Sequence, residues 1–152
     1  MRRTLGTLVL VLLLTASGCG DDTGEGGDAP GGVPGAPAST AIEEVAVLTG
    51  TSAGGHVTTE PTLLPDEPAV RAYADQFRND RLQGEIVRAA RRTDVPEGRR
   101  LAAAVVAIGC EVPTRVTGTA TGDQLTVRAV LPSPTKQCFA PITSVALVLV
   151  PA

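Results

Sequence analysis

The 152-residue sequence predicts an α+β domain: a mainly antiparallel sheet with one or two helices on one face, fastened by one disulfide. Three observations lead there. An amphipathic helical pattern lies mid-chain, a series of apolar or alternating runs joined by turn residues follows it, and the folded part holds two cysteines. Helices grouped ahead of hairpin-linked strands favour a sheet with helices segregated to one side over an alternating α/β fold.

The elements follow in chain order. Residues 42–49, IEEVAVLT, read as a strand. The next stretch, GTSAGGHVTTEPTLLP, is turn-rich, with a short edge strand expected at His56–Thr59. A helix is predicted over Asp66–Phe77. Asp66 can cap it, Glu67 suits its positive end, Pro68 is tolerated in its first turn, and Val70, Tyr73, Ala74 and Phe77 form one apolar stripe at i, i+3, i+4 and i+7. A second, weaker helix is expected over Arg81–Arg92, with Leu82, Ile86, Ala89 and Ala90 inward; a strand at Glu85–Ala90 is the alternative. Gly84 costs that helix about 1 kcal/mol against alanine. DVPEG, 94–98, is a turn.

The carboxy-terminal half reads as sheet. LAAAVVAIGC, 101–110, is apolar throughout, as a centrally buried strand is, although its alanine-rich start also suits a helix. TRVTGTA (114–120) and QLTVRAVL (124–131) are joined by Thr121-Gly122-Asp123, a hairpin signal. Leu125, Val127, Ala129 and Leu131 fall on one face of the second strand. A proline-rich loop, PSPTKQCFAP, leads to the apolar strand ITSVALVLV, 142–150.

The amino terminus speaks of location. Arg2 and Arg3 precede an apolar run from Leu5 to Leu14. That run is too short for a permanent transmembrane helix, which needs roughly 18–20 residues, and has the form of a secretory signal peptide. It ends in Ala16-Ser17-Gly18-Cys19, which resembles the lipobox of bacterial cell-envelope lipoproteins, with Ala16 where that family usually has leucine. The resemblance implies that residues 1–18 are removed, that Cys19 carries the lipid, and that the chain is anchored at the outer face of the cell membrane. Two or more acyl chains give stable anchoring where one does not. Residues 19–39 form a tether of Gly, Pro, Ala, Ser, Thr and acids, too poor in apolar surface to offset its ordering entropy, with a typical reach of about 25 Å. Residues 40–152 remain for one small extracytoplasmic domain. Its GCEVP and CFAP segments resemble those of small secreted lipoproteins, which implies no activity.

Composition narrows the function. Within 40–152, 11 basic and 12 acidic residues nearly cancel, so no strong field draws nucleic acid. Tyr73, Phe77 and Phe139 are the only aromatics, too few for a base- or sugar-stacking platform. In an exported protein Cys110 and Cys138 read as a disulfide. Its loop of about 28 residues corresponds to roughly 3.6 kcal/mol in the chain-entropy model.

No catalytic, metal-binding or cofactor-binding set emerges. His56 is the only histidine, and a thiolate–imidazole pair would need a free cysteine. His56, Glu111, Cys110 and Cys138 lack the short spacings of a metal site. GTSAGG, 50–55, lacks the lysine and following helix of a phosphate loop and reads as a turn. Glu43 and Glu44 are adjacent on a strand and point to opposite faces. Arg88, Arg91, Arg92, Arg99 and Arg100 form a basic cluster, partly offset by Asp94 and Glu97, that reads as a solvated helix face able to touch anionic head groups or envelope polymers. The expected function is therefore a membrane-anchored binding or interaction module for an envelope protein or small ligand. The alternative, a cell-wall-associated or extracellular enzyme, would need a site that these residues do not reveal.

Overall fold

The computed structural model describes residues 41–134 and 137–152, all within one compact unit. The expected signal peptide, lipidated Cys19 and tether lie outside the described residues. Six strands and two helices follow in order: β1 Glu43–Thr51, β2 Thr62–Leu63, α1 Glu67–Ala74, α2 Asp80–Arg92, β3 Arg99–Gly109, β4 Arg115–Thr121, β5 Gln124–Val130 and β6 Ile142–Pro151. The fold is α+β, every strand pair is antiparallel, and Cys110 is bonded to Cys138.

A four-stranded sheet has the order β1-β6-β3-β2, and β4-β5 forms a separate hairpin. Strands β3 and β6 are buried from Leu101 to Ala107 and from Thr143 to Val150. Alternation sends their side chains to two different covers. Leu101, Ala103, Val105, Val145, Leu147 and Leu149 pack with the helices and with Leu64 and Ala53. Ala102, Ala104, Val106, Ala146, Val148 and Val150 pack with Val127 and the partly buried Ile42, Val116, Leu125 and Ala129. The helices thus take one face, as the sequence predicts, and the hairpin takes the other. Two covered faces explain why Leu101–Ala107 and Val145–Val150 read as unbroken apolar runs.

The hairpin is tied at both edges. On the β4 side Ala41 bridges Thr119, and the Glu44 carboxylate accepts from the Val116 N–H. On the β5 side the Val127 N–H donates to the Thr59 carbonyl at 2.7 Å. The Thr58 N–H donates in turn to Val105 of β3 at 2.9 Å. Hydrogen bonds therefore run from β1 through β6 and β3, across residues 58–59, through β5 and β4, and back to the start of β1 through Ala41 and the Glu44 side chain, around the second apolar cluster.

Three expectations change in detail. The edge strand is at Thr62–Leu63, opposite Ala102 and Ala103, and not at His56–Thr59. Thr58 and Thr59 direct their backbone bonds to two different strands, and the β3 register shifts between Val105 and Ala107 beside them. Helix α1 ends at Ala74, before Phe77, because Gln76 Nε2 donates to the Tyr73 carbonyl and the Arg78 N–H is drawn to the Ala53 carbonyl. Phe77 is still buried against the helical face. Leu131 lies beyond β5 and is exposed, so it does not extend the hairpin's apolar face. The 80–92 segment is helix, opened by Asn79, whose Oδ1 accepts from the Leu82 N–H at 2.9 Å while its Nδ2 reaches the Thr51 carbonyl at 3.1 Å. The alanine-rich start of residues 101–110 is strand.

Close approach of the hairpin depends on Gly118. A Cβ there would lie 2.7 Å from Ile42 Cδ1 and 2.8 Å from the Thr126 carbonyl oxygen. The second contact is backbone and cannot swing aside. Gly118→Ala is expected to destabilise by about 1–3 kcal/mol, the usual cost of overpacking. At exposed Gly84, where a Cβ meets only Arg88 Nη2 at 3.8 Å, Gly84→Ala is expected to stabilise by up to about 1 kcal/mol. Paired thermal melts check the opposite signs.

Tyr73 is buried edge-on to Phe77, with ring centroids 5.8 Å apart, and its hydroxyl makes no hydrogen bond to the protein. Burial pushes its pKa up. Removing an unsatisfied buried hydroxyl while keeping the ring contact relieves a desolvation cost. Tyr73→Phe is therefore expected to unfold at the same denaturant concentration as the parent or a higher one; a lowered midpoint would show that the hydroxyl contributes.

Candidate functional site

The register places two features at opposite ends of the sheet. Gly109 faces Ile142 at one end, where the Cys110–Cys138 bridge joins the end of β3 to the loop before β6. Arg99 faces Pro151 at the other. At this second end the start of α1, the last turns of α2, β2 and the start of β3 enclose a cleft of about 540 Å³. Its size falls within the ~300–1,000 Å³ typical of small-molecule sites.

Each element contributes to the cleft for a local reason. Leu64, buried in the core, donates its N–H to the Leu101 carbonyl at 2.9 Å and fixes the chain leading into α1. Asp66 caps α1 by accepting from the Ala69 N–H at 2.8 Å, which brings Glu67 to the rim. Val70 from α1, Val87 and Ala90 from α2, and Leu101 from β3 supply an apolar floor. Leu63 and Val95 add large apolar side chains that are 37% and 42% exposed, more than a closed core would leave in water.

Arg91, Arg99 and Arg100 are the basic residues that border the cleft. Glu67 Oε1 accepts from Arg71 Nη2 and from Arg91 Nη2, each at 2.5 Å. The Arg91 hydrogen bond, then that from Arg71, holds the exposed Glu67 carboxyl below its ordinary range. Arg99 pairs with Glu43 at 3.5 Å, and its Nη1 donates to the Ala41 carbonyl at 2.7 Å. Arg100 holds the Pro151 carbonyl through Nε and Nη2 at 3.2 and 3.0 Å. Asp66 and Glu67 are thus both engaged, and the arginines outnumber them.

The basic cluster seen in the sequence divides in space. Arg91, Arg99 and Arg100 meet at the cleft, whereas Arg88 lies over a second, more polar depression with Arg71, Asp75, Asp80 and Gln83. Arg92, Asp94 and Glu97 are exposed. His56 is exposed on the loop after β1, and Glu111 directly follows the bridged Cys110. Among the described residues no three His, Cys, Asp or Glu side chains gather as a metal would require. The 50–55 segment leads to β2, not to a helix, and packs inward through Ala53. Glu43 and Glu44 part as expected, the first to Arg99 and the second to the Val116 N–H. Ile108, Val112 and Phe139 are exposed around the disulfide.

Sequence reading missed Leu63, Glu67 and Val95 as parts of a cleft. They come from separate segments, and no spacing connects them. Among the described residues no helix is long and apolar enough to cross a membrane. Comparison with protein-family models, curated proteins and solved structures gives no match for this chain.

The Glu67 contacts have a definite pH sign. Because its folded-state pKa is lowered, its contribution to stability is complete above the unfolded carboxylate value and is lost as pH falls through the lower folded value. Glu67→Gln should therefore be less stable than the parent at neutral pH, and the difference should shrink as pH falls through the acid range and as salt rises. Denaturant midpoints across pH check this; a difference independent of both pH and salt would refute it.

Proposed function

We propose that this chain is a bacterial cell-envelope lipoprotein, held at the outer face of the cell membrane through lipid on Cys19, whose 40–152 domain binds a small ligand. The reading of the anchor rests on the lipobox-like Ala16-Ser17-Gly18-Cys19 and the short apolar run before it. The reading as a binding module is carried by one observation: the 540 Å³ cleft with an apolar floor and charged rim. Such a shape suits non-covalent capture, in which apolar surface supplies affinity and a few polar groups fix orientation. The disulfide suits an oxidising compartment outside the cytoplasm.

Two measurements test the two halves. Cys19→Ala should move the product from the membrane pellet to the soluble fraction and remove the lipid increment from its intact mass; an unchanged membrane distribution would overturn the anchor. A neutral solvatochromic dye such as Nile red should brighten on the full chain, and Val95→Asp should abolish most of that signal without lowering the melting temperature. Equal brightening on a folded Val95→Asp chain would remove the cleft as a binding site.

A further inference from the structure

We infer that two copies of this chain pair through β1, edge to edge and antiparallel about Leu48, joining two four-stranded sheets into one continuous sheet. The inference rests on neither the cleft nor the anchor.

The outer edge of β1 is open. Val45, Ala46, Val47, Leu48 and Thr49 are each half-buried, although Val45 and Leu48 pack against the helical core, whereas β6 beside them is buried from Thr143 to Val150. Strand β6 has a neighbour on each side and β1 on one only, so the exposure of β1 is that of its free edge. One bond sets the direction of its backbone groups. The Ser52 N–H donates to the Pro141 carbonyl at 2.8 Å and continues the register in which Thr51 faces Ile142. Hydrogen-bonded and non-hydrogen-bonded residues alternate in an antiparallel pair. Gly50 and Leu48 therefore bond to β6, while Thr51, Thr49 and Val47 turn their N–H and C=O outward. The Thr51 carbonyl agrees with this parity, since it accepts from Asn79 Nδ2 at 3.1 Å, from outside the sheet. Among the described residues the outward groups of Val47 and Thr49 have no partner.

Unpaired groups in this arrangement are complementary to another strand, and charge, proline or a bulge commonly guards them. The bulge of β1 lies before Ala46, and from Ala46 to Thr51 there is no charged residue and no proline. A second copy fits this stretch. Two-fold pairing about Leu48 sets Val47 of each copy opposite Thr49 of the other, and each such pair exchanges both N–H···O bonds. The half-exposed Leu48 side chains then cover each other on the helical face, and the β-branched Val47 and Thr49 meet on the hairpin face. Ala46 falls opposite Gly50, which adds no bulk. Glu43 and Glu44 fall toward Ser52 of the other copy and not toward its acids.

The test uses the full chain carrying Cys19→Ala, which leaves only the bridged cysteines. With Leu48→Cys added, mild oxidation should give a covalent dimer, because residues facing each other in a non-hydrogen-bonded pair lie about 4.5 Å apart at Cα, within disulfide range. Ala46→Cys and Thr51→Cys should not crosslink, because each faces a different residue of the other copy. Without oxidant, light scattering should give twice the mass of the chain. Val47→Pro removes an outward N–H and no bond within the chain, and proline is accepted at such edge positions, so it should return the mass to that of one chain while unfolding stays cooperative. A parent of single-chain mass, a mass above twofold, a folded Val47→Pro chain that remains dimeric, or crosslinking at Ala46→Cys equal to that at Leu48→Cys would each overturn the inference. If Val47→Pro does not fold, the crosslinking pattern decides.

Discussion

Strands β3 and β6 carry apolar side chains on both faces, and that property governs how the rest of the chain is arranged. A strand with one wet face needs one cover, but these two need covers on both sides. The chain supplies them from different material. Two amphipathic helices cover the face with the larger side chains, where Leu101, Leu147 and Leu149 meet Leu82 and Ile86. A hairpin covers the face where Ala102, Ala104 and Ala146 leave room for a backbone to approach. Gly118 and the two edge ties hold that approach, and β6 can occupy the middle of the sheet because it is covered above and below.

Much of this is legible in the sequence. Asp66 and the Val70-Tyr73-Ala74 stripe announced α1, because a cap and a helical period are both local signals. Thr121-Gly122-Asp123 announced the β4–β5 turn for the same reason. The two cysteines announced the bridge because few other roles suit a pair in a chain expected to be exported. What stayed hidden is non-local. Alternation at Leu125, Val127 and Ala129 says that one face of β5 is buried, but not that it lies across β3. The placement of the edge strand depends on Thr58 and Thr59 bonding to different strands, which no run of side chains encodes. The cleft draws on four stretches of chain, so only its arginines stood out, and they stood out as charge rather than as one wall of a cavity.

The two ends of the sheet are built differently. A covalent bond closes the end at Gly109 and Ile142, beside hydrogen bonds from the Ser52 N–H to the Pro141 carbonyl and from Thr143 Oγ1 to the Gly54 carbonyl, and Ile108, Val112 and Phe139 are exposed there. The other end is closed by side-chain to backbone bonds, from Arg99 to Ala41 and from Arg100 to Pro151. The same arginines border the cleft, so structural anchoring and rim charge share residues at this end.

The double-sided burial of β3 and β6 also shapes how this sequence can vary over time. A strand with a solvent face has alternate sites where drift is nearly free; from Leu101 to Ala107 and from Thr143 to Val150 there are none. A larger residue on the alanine side presses on the hairpin, and a smaller one on the other side opens a hole beneath the helices. Divergence among descendants of this chain should therefore collect on the outward positions of β4, such as Arg115, Thr117 and Thr119, and on the wet side of α2, while the two central strands change slowly and in compensated pairs.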